Sequence, residues 1–386
     1  MSPAGLSARP VLVTSVRTPR ALLACSLLAG MALCGGSAIT AAQTPSAPQT
    51  LREAAQTHHL LMGAAVDSHS LSEPRYASTL AAEYSQLEPD NQMKFGLVHP
   101  GPTTYSYAGA DALVAFAKAH QMAVRGHNLV WHDEVPAWVT SPAVPWTPAA
   151  LNKVLREHIA NVVGHYKGEV FAWDVVNEPF NDNGTMRSTV WYDKPGIGFA
   201  GQGTKSIEQA LVWAHAADPA AKLFVNEYGA EVMNKKSDAV YAMAKDFVKR
   251  GVPLAGIGLQ LHVAPDFDQP ATLDSLRKNI RRLAALGLEV QFTEVDVRLA
   301  NHSAGSLALE GQTYKDLLAV CLHQPACTAF QTWGFTDKHS WIPGEYHGYG
   351  WALPFDRDYK KKPAYDAMLK TLMAPGDDQP RPPTPR

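Results

Sequence analysis

The chain alternates short apolar, β-branched runs with amphipathic helical patterns, and eight such runs can be recognised. The predicted strands cover residues 60–66, 84–91, 123–131, 170–178, 222–228, 256–263, 290–297 and 328–336. Runs this short and this apolar are typical of strands buried on both faces of a parallel sheet. Eight is the number of parallel strands that closes a barrel with its helices outside. We therefore predict an α/β fold, a single (β/α)8 TIM barrel.

The clearest helical pattern covers residues 147–167. Apolar side chains recur there at spacings of three and four, which marks one buried helix face. Thr147 is the predicted N-cap, and Pro148 suits the first helical position. Similar patterns cover residues 110–121, 205–217, 237–250, 276–286, 307–322 and 363–373.

The length of 386 residues fits one barrel between two terminal segments. Residues 1–42 are predicted to be a secretory signal peptide, because Arg9, Arg17 and Arg20 precede an apolar stretch and a run of small residues ending at Ala42. The catalytic domain is predicted at 43–373, and the tail 374–386, with its five prolines, is predicted to be disordered. No later apolar run approaches the roughly 18 residues of a membrane span. We expect a secreted protein, extracellular or periplasmic, with no membrane contact in its mature form.

Charge and cysteine content exclude several classes of function. The formal net charge of −2 gives no basic surface for nucleic acid or an anionic membrane. Cys321 and Cys327 are predicted to form a disulfide, because an export signal leads to an oxidising compartment; two buried thiols are the alternative. No further Cys or His lies at ligand spacing from them, so they indicate no metal site. We expect no cofactor.

Two apolar strand-like segments, 170–178 and 289–294, each end in a glutamate, Glu178 and Glu294. Two carboxyl groups on one barrel rim can cleave a glycosidic bond, since one protonates the leaving oxygen while the other meets the developing oxocarbenium ion. Polar and aromatic residues also follow the other strand ends, where a barrel builds its site. Burying so many polar groups without partners would be costly, so they indicate a hydrated cleft.

Six motifs at these strand ends resemble those of one enzyme family. They are DNQMK at 90–94, RGHNLVWH at 125–132, WDVVNEP at 173–179, GLQLH at 258–262, FTEVD at 292–296 and TWGFTDKHSW at 332–341. In this order they resemble glycoside hydrolase family 10, the endo-β-1,4-xylanases, over about residues 63–365. The resemblance implies cleavage of xylan or xylo-oligosaccharides, and we expect a monomer.

The resemblance also implies a role for each residue of the site. Glu178 would be the general acid and base, and Glu294 the nucleophile of a retaining double displacement, with the carboxyl groups roughly 5 to 5.5 Å apart. His262 and Asp296 would hold Glu294 ionised, Asn177 would bind the sugar 2-hydroxyl, and Gln260 would lie near Glu178. The expected substrate-binding residues are Asp90, Asn91, Lys94, His127, Trp131, Glu134, Trp333 and Trp341.

Four positions depart from the family pattern. Asp90 stands where the family usually has a glutamate, and Glu227 stands where it has an aspartate. Phe95 replaces a tryptophan, and Glu134 replaces a glutamine. These departures affect the choice of sugar more than the reaction. Two alternatives therefore stay open: a hydrolase of β-1,4-glucan or mixed-linkage glucan on the same barrel, and a non-catalytic carbohydrate-binding barrel.

Overall fold

The computed structural model describes residues 49–374, which form nine β-strands in one parallel sheet. The strands are β1 Leu61–Val66, β2 Gln86–Pro89, β3 Ala123–Val130, β4 Ala172–Asn177, β5 Lys222–Glu227, β6 Gly256–Leu259, β7 His262–Val263, β8 Glu289–Val297 and β9 Cys327–Thr332. Their order is β6-β5-β4-β3-β2-β1-β9-β8-β7, and β6 also pairs with β8, which closes the barrel. The predicted signal peptide lies outside the described residues, as do residues 375–386 of the predicted tail.

Strands β6 and β7 together occupy one position of the barrel. Leu259 of β6 aligns with Phe292 of β8, and His262 of β7 aligns with Asp296 of the same strand. Gln260 and Leu261 interrupt the ladder between them. The barrel therefore has eight strand positions, as predicted, and the predicted strand at 256–263 is broken in two.

Helices connect the strands on the outside of the barrel. They are α1 Leu51–Gln56, α2 Pro74–Glu83, α3 Phe95–Val98, α4 Ala108–Ala119, α5 Ala137–Thr140, α6 Pro148–His165, α7 Lys205–Ala217, α8 Lys235–Arg250, α9 Pro270–Ala284, α10 Ala304–Leu322, α11 Ile342–Glu345 and α12 Pro363–Met373. The Thr147 side chain accepts a hydrogen bond from the backbone N–H of Ala150, which confirms the predicted N-cap. None of the described helices is long and apolar enough to cross a membrane.

Packing between neighbouring strands depends on residue size at one position in particular. A Cβ added to Gly126 would lie 2.2 Å from the ring of Trp173, whose side chain is fully buried. Only glycine therefore allows β3 and β4 to pack around this indole. Close packing of this kind is general in protein interiors. It fixes the alignment of β3, which carries His127, with β4, which leads directly into Glu178.

The predicted disulfide between Cys321 and Cys327 is present. Cys321 lies in the last turn of α10, and Cys327 is the first residue of β9. The bond therefore fixes the turn through which the chain enters the last barrel strand.

Candidate active site

A large cleft opens at the carboxyl ends of the barrel strands. Of the predicted site residues, those that line it are Lys94, His127, Trp131, Asn177, Glu178, Gln260, His262, Glu294, Trp333 and Trp341. Both predicted catalytic glutamates therefore face the same space.

Glu294 lies in β8 and is only 4% exposed. One of its oxygens lies 2.9 Å from His262 Nε2, and the Nδ1 atom of the same ring lies 2.8 Å from Asp296 Oδ2. Burial opposes ionisation of Glu294, but the hydrogen bond from His262 and nearby positive charge outweigh burial, so its pKa lies below the usual value. Burial likewise opposes protonation of His262, yet the Asp296 and Glu294 carboxylates raise its pKa well above normal. The site holds an imidazolium between two carboxylates.

Glu178 directly follows β4 in a left-handed backbone conformation, with φ of 54°. The Trp131 indole N–H donates to one of its carboxyl oxygens at 2.9 Å. The side-chain amides of Gln260 and Asn177 donate to the other at 3.0 and 3.3 Å. Arg187 donates to the backbone carbonyl of Glu178 at 3.0 Å. These bonds fix the orientation of a carboxyl group that still faces the cleft.

One amide network connects the two glutamates. Asn226 Nδ2 donates to Asn177 Oδ1 at 2.8 Å and to Glu294 at 2.6 Å. Asn177 in turn contacts Glu178. Because Asn226 is fully buried at the end of β5, it holds the nucleophile candidate and the acid candidate in a fixed relation.

A cluster of buried ionisable groups lies inside the barrel, and one of them, His127, also lines the cleft. His127 Nδ1 lies 3.1 Å from both Glu88 and Asp174, and Arg125 forms an ion pair with Asp174. Burial would lower the pKa of His127, but its hydrogen bonds to Asp174 and Glu88 raise it to about 10. Glu88, His127 and Asp174 are close enough together to hold a metal ion. The guanidinium and the imidazolium already neutralise these carboxylates, however, so the cluster needs no metal for charge balance.

Three of the predicted binding residues form a cationic and aromatic wall. Lys94 Nζ lies 5.1 Å from the centre of the Trp131 ring and 5.9 Å from that of Trp333. The same ammonium donates to Asn91 Oδ1 at 2.8 Å, which is how Asn91 connects to the site. Aromatic faces suit the apolar face of a pyranose ring, and the ammonium can donate to its hydroxyls.

Trp341 lines the cleft and is connected to the nucleophile candidate Glu294 through Asp296 and His262. Its indole N–H donates to Asp296 Oδ2 at 2.8 Å, and its ring centre lies 4.8 Å from that of His262. This bond fixes the orientation of the indole on the loop after β9.

Asp90 and Glu134 lie apart from the groups that line the main cleft. Asp90 faces a smaller pocket shared with Trp333 and Trp341, and burial raises the pKa of its carboxyl group. Glu134 is exposed on the loop after β3, where its backbone carbonyl accepts a hydrogen bond from the Gly96 N–H. Glu134 is therefore exposed outside the lining of the main cleft, and its predicted contact with the sugar stays a prediction.

Sequence reasoning assigned no role to Tyr228, which lines the cleft just after β5. Lys236 Nζ lies 3.4 Å from the centre of its ring and 2.9 Å from Glu227, and Arg187 donates to its hydroxyl at 3.0 Å. Its position at a strand end was the available signal. Arg187 lies on the long loop between β4 and α7, where no periodicity marks it.

A closed (β/α)8 barrel with two glutamates facing one cleft at the carboxyl ends of β4 and β8 is the arrangement of a barrel glycoside hydrolase. The sequence profile of Glycosyl hydrolase family 10 matches residues 50–371, and the chain belongs to this family.

Related enzymes are similar over most of their length. Endo-1,4-beta-xylanase B of Thermotoga neapolitana is 39% identical over 327 residues, which is 83% of this chain and 91% of that protein. Endo-1,4-beta-xylanase C of Phanerodontia chrysosporium is 36% identical and covers 82% of this chain and 77% of its own. The crystal structure of xylanase 10B from Thermotoga petrophila in complex with xylobiose is 41% identical, with a TM-score of 0.79, over 84% of this chain and 97% of that one.

Proposed function

We propose that this protein is an endo-1,4-β-xylanase that cleaves internal β-1,4-xylosidic bonds by a retaining double displacement. The observation that carries the proposal is the pair of glutamates facing one cleft, with Glu294 held ionised by a protonated His262. Relatives of similar length are named endo-1,4-beta-xylanases.

In the first step, the Glu294 carboxylate attacks the anomeric carbon and forms a glycosyl ester, while Glu178 gives its proton to the departing glycosidic oxygen. In the second step, Glu178, now a carboxylate, takes a proton from water. The resulting hydroxide attacks the anomeric carbon, and the bond to Glu294 breaks. Each step inverts the configuration of the anomeric carbon, so the product has the configuration of the substrate. Asn177, beside Glu178, is proposed to bond the sugar 2-hydroxyl, an interaction that strengthens in the transition state.

The sugar chain is proposed to lie along the aromatic and amide lining of the cleft. Lys94 and His127 would bond the hydroxyls of the sugar on the non-reducing side of the cleaved bond, and Trp333 and Trp341 would contact its ring. Asp90, Asn91, Trp131 and Glu134 complete the proposed binding set. The xylobiose complex of a relative at 41% identity supports this choice of substrate.

We also propose that the protein is exported and acts as a monomer. The disulfide supports an oxidising compartment, since such bonds persist outside the cytosol. The leader pattern at 1–42 supports secretion. Mass spectrometry of the exported chain would locate the cleavage site, and sedimentation would give the mass in solution.

A reducing-sugar assay on several polysaccharides tests the function. Xylan should release reducing ends and soluble cellulose or mixed-linkage glucan far fewer. Activity on glucan without activity on xylan would replace the proposed substrate, and binding without hydrolysis would remove the enzyme proposal. Proton NMR of the first-formed product should show the β-anomer; the inverted α-anomer would rule out the retaining mechanism.

A further inference from the structure

Glu231 is a buried carboxyl group beside the cleft that the proposed reaction does not use. It follows β5 by four residues and is only 6% exposed. Burial raises the pKa of its carboxyl group, although backbone N–H groups and Lys236 act in the opposite direction. One of its oxygens accepts a hydrogen bond from the backbone N–H of Leu261 at 3.1 Å. Leu261 lies at the break between β6 and β7.

Leu261 has an unusual backbone conformation. Its φ is +63°, in the left-handed region, which is unfavourable for a non-glycine residue. A residue keeps such a conformation only where its surroundings hold it. Its side chain is fully buried, its N–H is bound by Glu231, and its carbonyl accepts from the Asp296 N–H at 3.4 Å.

The two neighbours of Leu261 contact the two catalytic candidates. Gln260 donates to Glu178 at 3.0 Å, and His262 Nε2 lies 2.9 Å from Glu294. The left-handed residue between them sets the relative direction of these two side chains, because a change at its φ rotates one neighbour against the other.

The backbone of Glu231 is itself anchored. Asn279 of α9 donates from its side chain to the carbonyl of Ala230 at 2.8 Å and to that of Glu231 at 2.9 Å. Asn279 is 1% exposed, so these bonds are shielded from water. The Glu231 carboxyl group thus connects a fixed helix to the break in the barrel strand.

We propose that Glu231 is a positioning residue of the reaction: by accepting the Leu261 N–H it holds the strand break that directs Gln260 to the acid and His262 to the nucleophile. The role rests on the proposed function and requires a hydrogen-bond acceptor at this distance from the backbone. A negative charge alone does not fulfil it.

Two conservative variants separate these requirements. Glu231→Gln keeps an acceptor oxygen at the same reach and removes the charge. Glu231→Asp keeps the charge and withdraws the acceptor by one methylene. For kcat on xylotetraose, we expect the Gln variant to stay within about threefold of wild type. We expect the Asp variant to lose about 10- to 100-fold with KM little changed, as displaced catalytic groups typically do.

The pH dependence of kcat/KM supplies a second measurement, because partial loss of folding would lower the rate without shifting the pH of the acid limb. His262 lowers the pKa of Glu294, so the acid limb of kcat/KM should shift to higher pH in the Asp variant and stay in place in the Gln variant. The other charges around Glu294, on His127, Arg125 and Asp174, are the same in both proteins.

Glu83 provides a matched control. It is also 6% exposed, and it also accepts a backbone N–H, that of Leu51 at 2.9 Å, but it lies at the end of α2 that leads into the start of β2. Glu83→Asp should lower the melting temperature and leave kcat and the acid limb unchanged. If the Glu231→Asp protein does not fold, the Gln variant decides the matter, because the proposal requires it to remain active.

The outcomes also separate this inference from the proposed function. If wild type releases no reducing ends from xylan, the proposed function fails. If wild type is active and kcat of the Asp variant equals that of wild type, the positioning role is wrong. It is also wrong if kcat of the Gln variant falls as far as that of the Asp variant.

Discussion

The two glutamates of the cleft should respond differently to substitution. Glu294→Gln removes the nucleophile and should lower kcat on the order of 10⁴-fold or more on every substrate. Glu178→Ala should be comparably impaired on xylan but should retain the glycosylation step for a dinitrophenyl xylobioside, whose leaving group needs no proton. A stopped-flow burst of dinitrophenol measures that step. Equal losses for both variants on this substrate would contradict the assigned roles.

Trp341 should contribute to the selection of xylose over glucose. Xylose lacks the hydroxymethyl group of glucose, so a rigid indole in that space excludes the larger sugar. The bond from Trp341 to Asp296 supports this rigidity. In Trp341→Ala, the ratio of kcat/KM for aryl xylobioside over aryl cellobioside should fall about tenfold, equivalent to about 1.4 kcal/mol.

The matched control for this variant is Trp351. It stacks on His302, with ring centres 4.7 Å apart, and does not line the main cleft. Trp351→Ala should leave the ratio unchanged. An unchanged ratio in Trp341→Ala would mean that selection against glucose depends on other residues.

At the scale of the elements, the disulfide should act as a local brace between α10 and β9. Its two cysteines are six positions apart. By reducing the entropy of the unfolded chain, a bond that closes so short a loop raises the free energy of unfolding by about 2 kcal/mol. The Cys321→Ala/Cys327→Ala double variant should lose about that much free energy of unfolding in urea and keep its activity at 25 °C. Two alkylatable thiols in the exported wild type would show that the bond does not form in the cell.

The order of the elements could be predicted because each strand is buried on both faces and each long helix has one apolar face. The ends of α7 and α12 match the predicted ranges 205–217 and 363–373. The break at Leu261 could not be predicted, since an apolar residue in an apolar run gives no sign of a left-handed φ. Helix α2 was missed for a similar reason: its sequence PRYASTLAAE buries few large apolar residues.

The residues of the site also divide into those that the sequence predicts and those that it does not. Glu178, Glu294 and His262 could be placed together because each follows or lies in a strand whose end faces the rim. Glu231 and Arg187 could not, since their contacts depend on how loops fold back over the barrel. Strand ends therefore identify the candidate reacting groups, and the residues that hold them emerge only from the tertiary structure.

For the whole molecule, several buried ionisable groups retain protons that the unfolded chain would release. The pKa of His127 is about 10 in the folded barrel, and burial raises that of Glu88 to about 7. Burial also raises those of Glu227 and Glu310 to about 8 despite their lysine partners. In the unfolded chain, histidine titrates near pH 6.5 and glutamate near 4.3. Folding stability must therefore fall as pH rises through the interval between the unfolded and folded values.

We expect the free energy of unfolding to decrease from about pH 7 to pH 10, above the range in which the histidines of lowered pKa, such as His158, act in the opposite direction. The contribution of His127 is fully present below about pH 6.5 and is lost as pH rises towards 10, with a limiting slope of about 1.4 kcal/mol per pH unit for one proton. Urea unfolding at pH 6, 8 and 9.5 measures this slope. His127→Asn removes one of these groups and should reduce the slope between pH 8 and 9.5, while His262, whose pKa is also raised, and the remaining protonated glutamates keep it from vanishing. Equal slopes for wild type and His127→Asn between pH 8 and 9.5 would show that His127 is not held protonated between Glu88 and Asp174.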